Sequence, residues 1–193
     1  HSISDKEKKD KIASHFAAIM DTLGLDLTDD SLSGTPMRVA KMYVDEIFAG
    51  LNPKNKPSAM LFENKYGYKE MLVEKNIRVH SFCEHHFVPI IGVAHVGYIN
   101  SGKVVGLSKL NRLVEYFAKR PQVQERLTVQ IANELKKALN TEDVAVVIDA
   151  DHKCVSLRGV EDSASTTITA SYNGAFLEEN VKKEFLRYVY GGK

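Results

Sequence analysis

The chain has 193 residues, of which 44% are hydrophobic, so it is long enough for one domain with a substantial core and too apolar for wholesale disorder. Its 26 Lys and Arg residues are balanced by 25 Asp and Glu residues, which gives a formal net charge of +1. This balance excludes a global basic field for nucleic acid, so any anion site must come from a local cluster of cations.

The sequence carries no pattern of a membrane span or an export signal. No apolar run approaches the roughly 20 residues that a transmembrane helix needs, and residues 1–11 are polar and Lys-rich. We therefore expect a cytoplasmic protein, in which Cys83 and Cys154 are inert buried thiols or metal ligands rather than a disulfide.

Residues 1–60 are predicted to form a helical N-terminal segment. Apolar residues recur at helical spacing over 4–23, and Gly24 provides a stop. A second helix is predicted from Thr35, as N-cap before Pro36, to Gly50. A looser connection with two prolines follows.

Residues 61–193 are predicted to form the main, catalytic domain. In chain order the patterns predict strands at 71–81 and 87–100, a turn at 101–102, helices from Ser108 and over 121–140, strands at 144–150 and 166–172, and a helix at 178–190. Strands that pair as hairpins, with helices grouped between them, favour an α+β fold with an antiparallel sheet. The open edges of so small a sheet favour association with further copies.

The densest chemistry lies in two short segments, Cys-Glu-His-His at 83–86 and His-Lys-Cys at 152–154. Cys83 and His86 have the spacing that lets two side chains of one turn reach the same ion, and Cys154 offers a third ligand. Two thiolates and one imidazole suit zinc and leave a fourth position for water, as in catalytic sites.

The spacing alone leaves three interpretations open. The site is a catalytic zinc centre, a structural zinc centre closed by His85 or His152 as fourth ligand, or no metal site at all. If the two histidines are not ligands, they suit proton transfer, because imidazole titrates close to working pH.

Five segments, in order along the chain, resemble the GTP cyclohydrolase I family. They are TPMRVAKM at 35–42, CEHHFVP at 83–89, GLSKL at 106–110, RPQVQERLT at 120–128 and HKCVSLRG at 152–159. Any one of them is a weak signal, but five in register over residues 4–190 make coincidence improbable.

The resemblance implies an activity and an assembly. The expected reaction is zinc-dependent hydrolysis and rearrangement of GTP to 7,8-dihydroneopterin triphosphate with release of formate, without net redox change. The expected fold is of the tunnelling type, an antiparallel four-stranded sheet with two helices packed on it, plus the N-terminal helical extension. The expected assembly is a homodecamer of stacked pentamers with sites at subunit interfaces, and neither nucleic acid nor a membrane is expected as a partner.

Two other functions stay open at this point. One is a structural-zinc protein that only binds nucleotides, and the other is a sister enzyme of the same fold that acts on another purine or pterin.

The resemblance also assigns roles by position. It implies that the zinc ligands are Cys83, His86 and Cys154 and that the catalytic histidines are His85 and His152. The pair that reads the guanine edge is Gln124 and Glu125. The implied triphosphate contacts are Ser108, Lys109, Arg112 and Arg158, with Arg38 and Lys41 as further candidates. A carboxylate at Glu125 can accept from the ring N–H and the exocyclic amine of guanine together. The alternatives are a glutamate favoured by the helix dipole and, for the cations at the start of the helix, a solvated basic face.

Overall fold

The computed structural model describes residues 3–58, 61–100 and 102–191. The N-terminal part consists of α1 (Asp5–Thr22), α2 (Thr35–Lys41), a π-helical turn (Met42–Ile47) and two 3₁₀ turns (Ala49–Leu51 and Pro53–Asn55). The strands are β1 (Leu61–Glu63), β2 (Met71–Cys83), β3 (Pro89–Ile99), β4 (Lys103–Val105), β5 (Pro121–Gln122), β6 (Val144–His152) and β7 (Thr167–Tyr172). The other helices are α3 (Leu107–Ala118), α4 (Gln124–Leu139), α5 (Lys153–Ser156), a 3₁₀ turn (Gly174–Leu177) and α6 (Glu179–Tyr190). No helix within these ranges combines the length and the apolar character that crossing a membrane requires.

The main sheet has five strands in the order β5-β2-β3-β6-β7, and β1 pairs with β4 in a separate two-stranded sheet. The predicted α+β class is confirmed. The sheet is mixed rather than purely antiparallel, because the short strand Pro121–Gln122 runs parallel to Phe82–Cys83. The other four strands are antiparallel neighbours. The turn at 101–102, predicted as a hairpin between the strand 87–100 and Val104, does not pair these two strands, because β4 pairs with β1 instead of β3. Ser101 itself lies outside the described residues.

The strand β6 explains how the layers pack. Its residues 144–148 are all buried, although a strand with one solvated face would alternate. Val146 and Ile148 join the core under α3 and α4, whereas Ala145 and Val147 join a second core with Phe185 of α6. Both faces of the sheet centre are therefore covered, which is why the sequence reads as a continuous apolar run.

Several helix starts differ from the predicted ones. Gly106, not Ser108, is the N-cap of α3, since its backbone is extended at φ −61° and ψ 129°. Gly34 rather than Thr35 precedes α2. The helix predicted from 121 begins at Gln124, because the two residues at 121–122 pair with β2 instead. Ser108 therefore lies within the first turn of α3, where its hydroxyl is not used as a cap.

His95 on β3 is a buried histidine with a hydrogen bond at one ring nitrogen. It is 3% exposed, its Nδ1 accepts from the Asn76 N–H at 3.2 Å, and its ring packs on Tyr190 of α6. Burial lowers the pKa of His95 below its ordinary value of 6.5, which Asp149 opposes and Lys75 reinforces. The folded chain thus binds fewer protons here than the unfolded chain.

This pKa shift predicts a pH-dependent stability. Since the pKa of His95 is lower in the folded chain, its contribution is complete above 6.5 and is lost as the pH falls through the folded-state value. We expect His95→Gln, which keeps an acceptor but does not titrate, to show a shallower fall in thermal midpoint than wild type between about pH 7.5 and about pH 5.5. Parallel curves for the two proteins would contradict the assignment.

Candidate active site

The turn after β2 carries two of the three predicted metal ligands, Cys83 and His86. Cys83 N–H donates to Val88 O at 2.8 Å, and Phe87 N–H donates to Cys83 O at 2.8 Å, so the turn is closed on itself. Phe87 has a φ of 55°, a left-handed conformation that is uncommon for a residue with a Cβ. The local backbone therefore presents both side chains from one tight turn.

Cys154 reaches the same point from α5, the short helix that follows β6. Strand β6 pairs with β3 so that His152 lies opposite Ile90, and α5 begins directly after His152. The ligand atoms of Cys83, His86 and Cys154 all lie within 4.8 Å of one another. Residues 71 positions apart in sequence thus form one compact group that fits a metal ion.

The chemistry of this group favours a metal with a free coordination position. Within residues 3–58, 61–100 and 102–191, no fourth His, Cys, Asp or Glu joins it. The pKa of the Cys154 thiol is raised, first by burial and then by the adjacent Cys83 thiol, so a cation is needed to stabilise two thiolates at this distance. Three protein ligands leave room for a water molecule or a substrate atom.

The two predicted catalytic histidines flank the group in different environments. His85 is exposed, and its Nδ1 lies 3.6 Å from Cys83 Sγ. His152 is half-buried, and its Nε2 lies 2.7 Å from Gln124 Oε1. Burial lowers the pKa of His152 below its ordinary value of 6.5, against the opposing charges of Glu125 and Asp151. The structure thus brings the His85 imidazole to the candidate metal centre, whereas the ring of His152, two residues before Cys154, is held by Gln124.

Gln124 is fully engaged inside the chain. Its side chain is 1% exposed, and its amide nitrogen donates to Ile148 O at 3.1 Å and to Thr167 O at 2.8 Å. Because both amide hydrogens are used, Gln124 Oε1 accepts from the Nε2–H of His152, which leaves Nδ1 as the free ring nitrogen. The structure therefore places Gln124 as a support for His152, and its contact with guanine stays a prediction.

Glu125 lies in the first turn of α4, exposed and beside His152. Its carboxylate forms no ion pair within the part of the chain that the structure describes, so it remains available to a ligand.

The cations on α3 line a separate space. Lys109 and Arg112 border a cavity of about 590 Å³ together with Tyr116 and Lys119, and the acidic residues Asp45 and Glu115 also line it. Ser108 lies exposed one residue before Lys109. None of the three candidate metal ligands lines this cavity. Within one chain, Lys109 and Arg112 therefore line a different space from the metal group.

The other predicted phosphate contacts lie in two places, Arg158 at the metal group and Arg38 and Lys41 on α2. Arg158 Nη1 lies 3.5 Å from His86 Nε2, which places this cation at the metal group. Arg38 Nη2 donates to Ser31 O at 2.6 Å and to Thr35 Oγ1 at 3.1 Å, within its own segment. Lys41 is exposed at the end of α2.

A side-chain contact between two of the sequence motifs was not predicted from the sequence. Glu84, in the turn with Cys83, accepts a hydrogen bond from Arg126 in the first turn of α4. Both residues were quoted as parts of motifs, but their 42-residue separation gives no local signal that they meet. The resulting contact joins the metal turn to the helix that carries Glu125.

A family model and several relatives of this chain carry the same name. The family model described as GTP cyclohydrolase I matches residues 12–190. The chain is 62% identical over 187 residues to "GTP cyclohydrolase 1" of Flavobacterium johnsoniae, covering 97% of this chain and 84% of that protein. It is 54% identical over 192 residues to the protein of the same name from Aeromonas salmonicida, with 99% and 88% covered. With that of Salmonella arizonae it shares 53% over 188 residues, with 97% and 85% covered.

Proposed function

The chain belongs to the GTP cyclohydrolase I family, and from this premise we propose that it converts GTP to 7,8-dihydroneopterin triphosphate and formate with the help of a zinc ion. The observation that carries the proposal is the convergence of the ligand atoms of Cys83, His86 and Cys154 within 4.8 Å of one another. A ligand set of two thiolates and one imidazole suits zinc better than harder divalent ions.

The zinc ion would supply the Lewis acidity that activates water for hydrolysis near neutral pH. The protein supplies the proton transfers. His152 presents its free Nδ1 while Gln124 holds Nε2, so this ring is oriented to take or give a proton at the purine imidazole. His85 is the second candidate for proton transfer. Hydrolysis at C8 opens the imidazole ring, a second hydrolysis releases formate, and the sugar carbons rearrange and close the new ring.

The remaining contacts bind and orient GTP. Glu125 accepts from the ring N–H and the exocyclic amine of guanine, a donor pattern that adenine lacks, and Gln124 lies next to it. Lys109, Arg112 and Arg158 neutralise the triphosphate, and Ser108 adds a hydroxyl and the backbone N–H groups of the helix start. Arg38 and Lys41 are further candidates for the same charge.

An oligomer is part of this proposal, namely a homodecamer of stacked pentamers with a tunnelling-type fold. Its support is the separation, within one chain, between the metal group and the cavity that Lys109 and Arg112 line. A site shared between copies brings such half-sites together. We also propose that residues 1–60 act as a helical extension of the catalytic domain at 61–193.

The proposal is tested by incubating the purified protein with GTP. We expect a new dihydropterin absorbance and an equimolar release of formate, both of which stop when a chelator removes the metal and return when zinc is added. ATP in place of GTP should give neither product, and metal analysis should find zinc. Absence of both products with the zinc-loaded protein would refute the proposed function.

A further inference from the structure

A bridge of side chains joins the metal turn to the start of α4. Arg126 Nη2 donates to Glu84 Oε2 and, at 3.2 Å, to Pro121 O, while Arg126 Nε donates to Gln122 Oε1 at 3.0 Å. On the other side, Glu84 N–H donates to Gln122 O at 3.0 Å. Because Glu84 directly follows Cys83, the bridge ends one residue from a candidate metal ligand.

Gln122 anchors the bridge in the core. Its side chain is 1% exposed, and its amide nitrogen donates to Phe117 O and to Gln130 Oε1, both at 2.9 Å. Its oxygen accepts from Arg126, so every polar atom of the amide is used. Rotating the amide would leave buried groups unpaired, which is costly. Arg126 is therefore held on a fixed support rather than on a mobile surface residue.

The Glu84–Arg126 ion pair is too exposed to contribute much to folding. The side chains are 35% and 41% exposed, and pairs this accessible add little to the free energy of unfolding. The same contact joins two parts of the site, since Cys83 precedes Glu84 and Glu125 precedes Arg126. A misplacement of about 1 Å between reacting groups can lower a rate by about a hundredfold. The Glu84–Arg126 ion pair is therefore expected to matter more to turnover than to stability.

We propose that Arg126 is a positioning residue, which through Glu84 and Gln122 fixes Glu125 at a set distance from the metal ligands. This inference rests on the proposed function, because it takes Glu125 as the contact of guanine. Without Arg126, guanine still binds to Glu125, but C8 is no longer held at the metal centre. The loss therefore falls on kcat and leaves KM nearly unchanged.

The test compares Arg126→Gln, Arg126→Lys and Glu84→Gln in the zinc-loaded enzyme. For Arg126→Gln we expect kcat for GTP to fall by about tenfold to a hundredfold, with KM within about threefold of wild type. Arg126→Lys should recover only part of the loss, because an ammonium cannot reproduce the planar fork that reaches three acceptors. The double variant Arg126→Gln/Glu84→Gln should be no slower than Arg126→Gln by more than about twofold, since both substitutions break the same Glu84–Arg126 contact.

A matched control is available at the other end of the same helix. Glu142→Gln breaks the exposed pair that Glu142 forms with Lys136 of α4, and we expect kcat within about twofold of wild type. Zinc content should be unchanged in all variants. The thermal midpoint should be unchanged in Glu84→Gln and should fall by no more than about 5 °C in the Arg126 variants, which lose the donor to the buried Gln122 Oε1. A loss of kcat without loss of zinc separates positioning from damage to the fold.

Two results would overturn the inference. One is wild-type kcat in Arg126→Gln, and the other is a loss of zinc or of thermal stability in proportion to the loss of activity. Failure of the proposed function looks different, because wild type itself would then release no formate from GTP.

Discussion

Cys154→Ser is expected to lower GTP turnover by at least about a thousandfold while the sheet stays folded. Serine nearly preserves the size of the side chain, but its hydroxyl does not ionise near neutral pH and is a poor ligand for zinc. The remaining pair, Cys83 and His86, comes from a single turn and no longer surrounds the ion. The purified variant should therefore contain little zinc.

The measurement is zinc content and formate release, together with far-UV circular dichroism and the thermal midpoint. Val155→Ala, on the same short helix with its side chain exposed, is the matched control and should resemble wild type in all four. The outcome separates catalytic from structural zinc. If Cys154→Ser unfolds the chain, the ion is structural, because a metal that closes a fold is lost together with the fold. Full turnover without zinc would refute the metal assignment.

The sequence predicted those elements that have a strong period or a long apolar run. Helix α4 was predicted from its apolar spacing, and β6 was predicted from its continuous run of apolar residues. Strand β5 was missed, because two residues at 121–122 carry no period and Pro121 reads as a helix start. The four-residue helix α5 was also missed; its first turn is tied by a hydrogen bond from Ser156 to Asp151, which composition does not reveal.

The site was predictable where a motif supplies the residues and unpredictable where a long-range contact does. The spacing within 83–86 and the thiol at 154 offered three possible ligands for one ion, and the pairing of β3 with β6 brings these three side chains together. Both amide hydrogens of Gln124 are bound by backbone carbonyls that lie 24 and 43 residues away in the sequence, so no sequence pattern signals these hydrogen bonds. The bridge from Glu84 to Arg126 is unreadable for the same reason.

Glu125→Gln is expected to lower kcat/KM for GTP by about a thousandfold, because guanine presents two adjacent N–H donors to this position. The carboxylate accepts from both, whereas the glutamine amide accepts from one and turns its own donor toward the other. In the structure Glu125 is exposed and has no ion pair within the described residues, so the substitution removes only its charge near His152 and the fold should be unaffected. Steady-state formate release measures the effect, with Glu142→Gln as the control carboxylate at the opposite end of α4.

If Glu125→Gln kept turnover within about threefold of wild type, guanine would have to be read elsewhere. A loss in Glu125→Gln but not in Glu142→Gln means instead that recognition of GTP depends on the Glu125 carboxylate, which forms no ion pair among the described residues.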